Sequence, residues 1–177
     1  MENRYEFFKK QIIITGKHAI MAKEIWQRDN IEQTCFKRLI DLYKLAPVVG
    51  YLADHKAGRD GSSSEDATVF VEQVLKERED LETILHMLLM VEYTGCGKYT
   101  QEEAVKKVFR GPQTEEEFRE CMDIFDSYVR GGIEVLYEEL ITKGTSHENK
   151  YSAHLKTGAI MEFLDKYGMG EKENWNL

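Results

Sequence analysis

Apolar residues recur every three or four positions along most of this chain, and that spacing predicts helices. Ala19, Ile20, Met21, Ala22, Ile25 and Trp26 form the first stripe and predict a helix from about Lys17 to Gln27. Asp29 or Asn30 is suited to cap the next one, in which Ile31, Phe36, Leu39, Ile40 and Tyr43 share a face. Pro47 lacks an N–H and disfavours helix at Ala46, so this helix is expected to end or kink there. Val48 to Ala53 then resume an apolar helical run to about Lys56. Ile12-Ile13-Ile14 is a β-branched triplet with strand preference, but no second strand stands out to pair with it.

Gly58 to Ser64 is the clearest loop in the chain. Ser63 or Ser64 is expected to cap a long helix with Glu65 and Asp66 in its first turn. Phe70, Val74, Leu81, Ile84, Leu85, Leu88 and Leu89 form its stripe, and Gly95 stops it. Roughly 29 residues at 1.5 Å each would span about 44 Å. The interval Lys76 to Asp80 reads as a solvated face of that helix. Thr100 and Glu103 have capping-box spacing, and Thr114 and Glu117 repeat it. The first box opens a helix to about Phe109. The second opens a run to Thr142 whose apolar face includes Phe118, Met122, Phe125, Tyr128, Val129, Ile133 and Leu136. A last helix is expected from about Lys150 to Tyr167, with Leu155, Ile160, Phe163 and Leu164 inward.

The pattern therefore predicts an all-α, single-domain bundle of about six or seven helices, two of them long. It occupies residues 1–170, with a short polar tail over 171–177. Composition supports one core: the chain has 177 residues, of which 42% are hydrophobic, and only two are proline.

Gly131-Gly132 interrupts the strongest amphipathic run, and each glycine costs a helix interior roughly 1 kcal/mol against alanine. Three readings stand: two helices joined by a glycine turn, close packing of another helix, or space for a ligand or a hinge.

Charge changes the picture more than composition does. The formal net charge is −8, which disfavours a non-specific nucleic-acid binder. It is uneven, with 11 Lys/Arg against 8 Asp/Glu in residues 1–60 and 13 against 24 in residues 61–177. Cys35, Cys96 and Cys121 are odd in number and form no C-x-x-C pair, which suits a reducing compartment and gives no zinc site. No apolar run approaches a bilayer span, so a cytoplasmic protein is expected.

No stretch identifies a reaction. Gly95-Cys96-Gly97-Lys98 has the wrong spacing and context for a phosphate loop and reads as a helix end. His147 and His154 are too far apart to chelate a metal by themselves, and His86 lies among packing residues. No cofactor or metal is expected. Lys17, His18, Asp54, His55 and Arg59 stand at helix ends and would form a polar pocket if the fold brought them together.

These observations favour a non-enzymatic interaction protein, a small helical subunit or adaptor binding another protein. Trp175 and Leu177 in the tail are its candidate anchors. The alternative is a nucleic-acid accessory protein using Lys9, Lys10, Lys17, Lys23, Lys37, Arg38 and Lys44. There Asp41 is expected to neutralise Lys37 and Lys44. A third reading is a hydrolase built on the histidine-containing helix ends. Self-association is compatible with all three.

Overall fold

The apolar stripes become helices in the computed structural model, which describes residues 5–26, 36–142 and 162–168. In chain order the elements are β1 (Ile12–Thr15), α1 (Lys17–Trp26), α2 (Leu39–Leu52), β2 (Asp66–Val69), α3 (Val71–Lys76), α4 (Arg78–Gly95), α5 (Gln101–Arg110) and α6 (Glu115–Tyr137). A π-helical turn, Glu138–Thr142, prolongs α6, and residues 162–166 are again helical. The fold is an all-α bundle carrying one small two-stranded sheet.

Helix α6 is its axis. It packs most extensively on α2 and also on α1 and α4. Phe125, Ile133 and Leu136 of α6 meet a core that includes Ile25 of α1, Ile40, Leu42 and Val49 of α2, and Leu81, Leu85 and Leu89 of α4. Phe163 is buried in the same core. The cap expected at Asp29 or Asn30 lies outside the described residues, as do Leu155 and Ile160.

Three expectations are corrected. The segment after the 58–64 loop is not the first turn of a helix. Asp66–Val69 is a strand, paired antiparallel with Ile12–Thr15 so that Ile12 opposes Val69 and Ile14 opposes Ala67. Ala67 and Val69 point into the core and Thr68 does not. That period of two fits a sheet with one buried face. Ser63 accepts the Glu65 N–H at 3.1 Å, closing a local turn instead of capping a helix.

The expected 29-residue helix is also divided at Glu77, giving α3 and the 18-residue α4. The interval Lys76 to Asp80 is more than a solvated face. The Glu77 carboxylate accepts Arg38 Nη1 at 2.9 Å and Lys44 Nζ at 2.7 Å, and Lys44 also reaches Asp80 at 2.8 Å. These bonds fix the break against α2.

Finally, of the end or kink expected at Pro47, the end is overturned: α2 continues through Pro47 to Leu52, so the two expected runs are one helix. The proline forfeits one backbone hydrogen bond, a cost of about 3 kcal/mol in an isolated helix. Burial of Leu39, Ile40, Leu42, Tyr43, Ala46, Pro47 and Val49 in the same helix offsets it.

The capping box expected at Thr100 is complete, whereas the one at Thr114 is half formed, the Glu117 side chain accepting the Gln113 N–H at 2.7 Å. Thr100 accepts the Glu103 N–H while the Glu103 side chain accepts the Thr100 N–H, and Thr114 accepts the Glu117 N–H. Thr100→Ala is expected to cost about 1 kcal/mol in urea unfolding. No loss would mean that packing alone fixes the start of α5.

Candidate functional site

The site begins at a turn only glycine takes easily. Gly16 has φ +67°, donates its N–H to Glu65 at 3.0 Å, and accepts from Ala19 and Ile20 at 3.1 and 3.4 Å. It therefore ends β1 and starts α1 in one step. Lys17 donates its backbone N–H to Asp60 Oδ2 at 2.7 Å, and His18 turns inward. Just beyond the C-terminal end of α2, Asp54 takes φ +48°, and the His55 N–H returns to the Gly50 carbonyl at 2.8 Å.

Both turns face Glu134 on α6. Its Oε1 accepts Lys17 Nζ at 2.9 Å and His18 Nε2 at 2.9 Å, while Oε2 accepts His55 Nε2 at 2.7 Å. One carboxylate thus joins three segments far apart in sequence. The glycines make the reach short. A Cβ on Gly131 would overlap the His55 carbonyl, one on Gly132 the Ala46 carbonyl, and one on Gly50 the Tyr128 carbonyl. Gly131 and Gly132 lie inside an unbroken α6, so the reading of two helices joined by a glycine turn is overturned.

Burial is the largest single influence on Glu134 and resists its ionisation. The hydrogen bonds from Lys17, His55 and His18 outweigh burial and hold the carboxyl at about 2. His18 is wholly buried, and its pKa is lowered, burial prevailing over attraction to Glu134. A carboxylate only accepts, so the proton of neutral His18 sits on Nε2. Its Nδ1 is then a buried acceptor with no hydrogen-bond partner among the described residues. Glu134 is an anchor rather than a base.

His55 and Lys17 are the accessible members, their side chains 45% and 48% exposed, and His18 is the enclosed one. His55 stands at the edge of a groove of about 410 Å³ lined also by Glu138, Glu139, Lys166 and Tyr167. Among the described residues, no group of three His, Cys, Asp or Glu side chains is arranged to hold a metal ion.

Of the five residues proposed from helix ends, Lys17, His18 and His55 meet. Asp54 supplies the turn, and Arg59 pairs instead with Asp123 at 2.8 Å. Glu134 was missed as their centre. Its signal was a lone carboxylate in the apolar run from Gly131 to Tyr137.

The basic first third is largely engaged internally. Lys9 pairs with Glu6, Lys23 with Glu65 at 2.5 Å, and Arg38 with Asp41 at 2.6 Å as well as with Glu77. Asp41 thus serves Arg38, and Lys44 is met by Glu77 and Asp80, contrary to the expected pairing of Asp41 with Lys37 and Lys44. Lys10 and Lys37 are exposed. Trp175, Leu177, Cys35, His147 and His154 lie outside the described residues. His86 packs on Phe109 with ring centroids 5.6 Å apart, and Gly95 to Lys98 form the end of α4 and a turn.

Comparison with protein families, curated proteins and solved structures finds no match to this chain. Fold and site together define a structural class: an all-α bundle whose central helix fastens two histidine-bearing turns through one half-buried carboxylate. Among the described residues, no helix is long and apolar enough to cross a membrane.

Proposed function

We propose that the protein is a non-enzymatic interaction protein, a small helical subunit or adaptor that docks another protein on α4 and α5. The observation that carries this reading is a strip of large exposed apolar side chains. Met87 and Val91, one turn apart on α4, are 64% and 40% exposed, and Phe109 on α5 is 70% exposed. The contact between His86 and Phe109 joins the two helices along this strip. Single exposed apolar residues are ordinary, whereas a group on adjoining helices is a feature of contact surfaces. Charges of both signs border the strip, with Glu82 and Glu92 on α4 and Lys106, Lys107 and Arg110 beside Phe109 on α5. The partner is accordingly a protein with an apolar centre and a mixed-charge rim.

The test compares tagged wild-type protein with Met87→Asp/Phe109→Asp in affinity capture from its native cells after nuclease treatment. A stoichiometric protein bound by the wild type and lost by the variant, with an unchanged thermal midpoint, is the expected result. A partner retained by the variant would remove α4 and α5 from the interface. Partners released by nuclease would favour the nucleic-acid reading, and a dimer abolished by the substitutions would assign the strip to a second copy.

A further inference from the structure

A second groove, of about 640 Å³, runs beside α6 and is lined by Arg59, Phe118, Arg119, Met122, Asp123 and Arg130. Three of its six lining residues are arginines, in a chain with net charge −8. Their engagements differ. Arg119 is paired with Glu115 one turn away. Arg59 reaches across from the loop after α2 to Asp123, and its side chain is 76% exposed.

Arg130 is the distinctive member. Its Nε donates to the Ala57 carbonyl at 2.8 Å, which fixes the guanidinium plane. Among the described residues it makes no ion pair, and its Nη atoms donate no hydrogen bond. The carboxyl one turn before it, Asp126, has its pKa raised by burial against the attraction of Arg130, and accepts a hydrogen bond from the Tyr43 hydroxyl at 3.4 Å. Arg59 and Arg130 oppose one another electrostatically. Two arginines thus face one groove, Arg59 directly paired with Asp123 and Arg130 in no ion pair among the described residues.

We propose that this groove binds a phosphorylated small molecule, its phosphoryl group held by Arg59 and Arg130 and its apolar part resting on Phe118 and Met122. The planar guanidinium fork matches phosphoryl oxygens, and an Arg130 already oriented by Ala57 loses little freedom on binding. Charge selects phosphoryl over carboxylate. A ligand must draw Arg59 from Asp123, and a carboxylate would only exchange like for like, whereas a phosphoryl dianion brings more charge and a third oxygen. The groove volume falls within the range of small-molecule sites and exceeds what a single phosphate fills.

Titration calorimetry with ADP, inorganic phosphate and citrate, at low and at about 0.5 M salt, tests the site on the full chain. ADP is expected to bind more tightly than either anion and to weaken with salt. Arg59→Gln and Arg130→Gln are each expected to weaken ADP by about tenfold or more. Arg110→Gln, which does not line the groove and is paired with Glu117, is expected to leave it unchanged. Thermal midpoints check folding. Arg130 also holds Ala57, so the exposed Arg59 decides if Arg130→Gln does not fold. No binding of ADP at about 5 mM, equal binding by wild type and Arg59→Gln, or citrate binding as tightly as ADP would each overturn the proposal. Inorganic phosphate binding as tightly as ADP would overturn the role given to Phe118 and Met122.

Discussion

Gly132→Ala is expected to destabilise the protein by about 3 kcal/mol, at the upper end of overpacking costs. For a chain of this size that lowers the thermal midpoint by roughly 6–12 °C. The sign is what makes the experiment decisive. Helix propensity alone predicts a gain of about 1 kcal/mol, because alanine is the better helix former. Gly132 lies within the 23-residue α6, where its Cβ would overlap the Ala46 carbonyl of α2. The obstacle is backbone, so no rotamer change relieves it, and the two helices must separate. Gly131→Ala meets the His55 backbone and is expected to act in the same direction. Gly95→Ala, at the end of α4 with nothing near its Cβ, is the control and is expected to be neutral or slightly stabilising. A stabilised Gly132→Ala protein would show that α2 and α6 are not this close.

Glu134→Gln is expected to cost about 2–3 kcal/mol at pH 7. The amide keeps the shape but carries two donors where three donors already converge, so at least one N–H loses its acceptor. The same substitution should change the acid response. His18 has a lowered folded pKa, so the unfolded state takes up its proton first and stability declines as pH falls below about 6.5. Glu134 has a depressed folded pKa, from an ordinary 4.5 to about 2. Its contribution is complete above 4.5 and is lost as pH falls from there towards 2. At about 1.4 kcal/mol per unit, reduced for partial exposure, the loss is again about 2–3 kcal/mol. Urea unfolding at pH 7, 5 and 3.5 measures the difference between wild type and variant. It should narrow at the acid end, and parallel curves would show that Glu134 is not the anchor.

The same residues show where local pattern sufficed. The stripe from Ala19 to Trp26 specified α1, the threonine–glutamate spacings specified the starts of α5 and α6, and Phe118 to Leu136 specified one face of α6. These signals work because caps and amphipathic faces depend on residues three or four apart, which a sequence displays directly. The histidine-bearing helix ends were visible for the same reason, since Gly16 and Gly58 punctuate the chain beside them.

Tertiary structure decided what pairs at a distance. Ile12–Thr15 is a strand because Asp66–Val69 lies beside it, and Asp66–Val69 is a strand because a serine-acidic start that also suits a helix finds Ile12 and Ile14 waiting. Pro47 stays helical because the apolar surface of α2 is buried on α6. Glu134 joins Lys17, His18 and His55 because glycines at 50, 131 and 132 let two backbones touch. In each case the local preference is worth about 1–3 kcal/mol. Long-range packing and a shared half-buried charge act on the same scale, so the chain's order of residues alone does not decide between them.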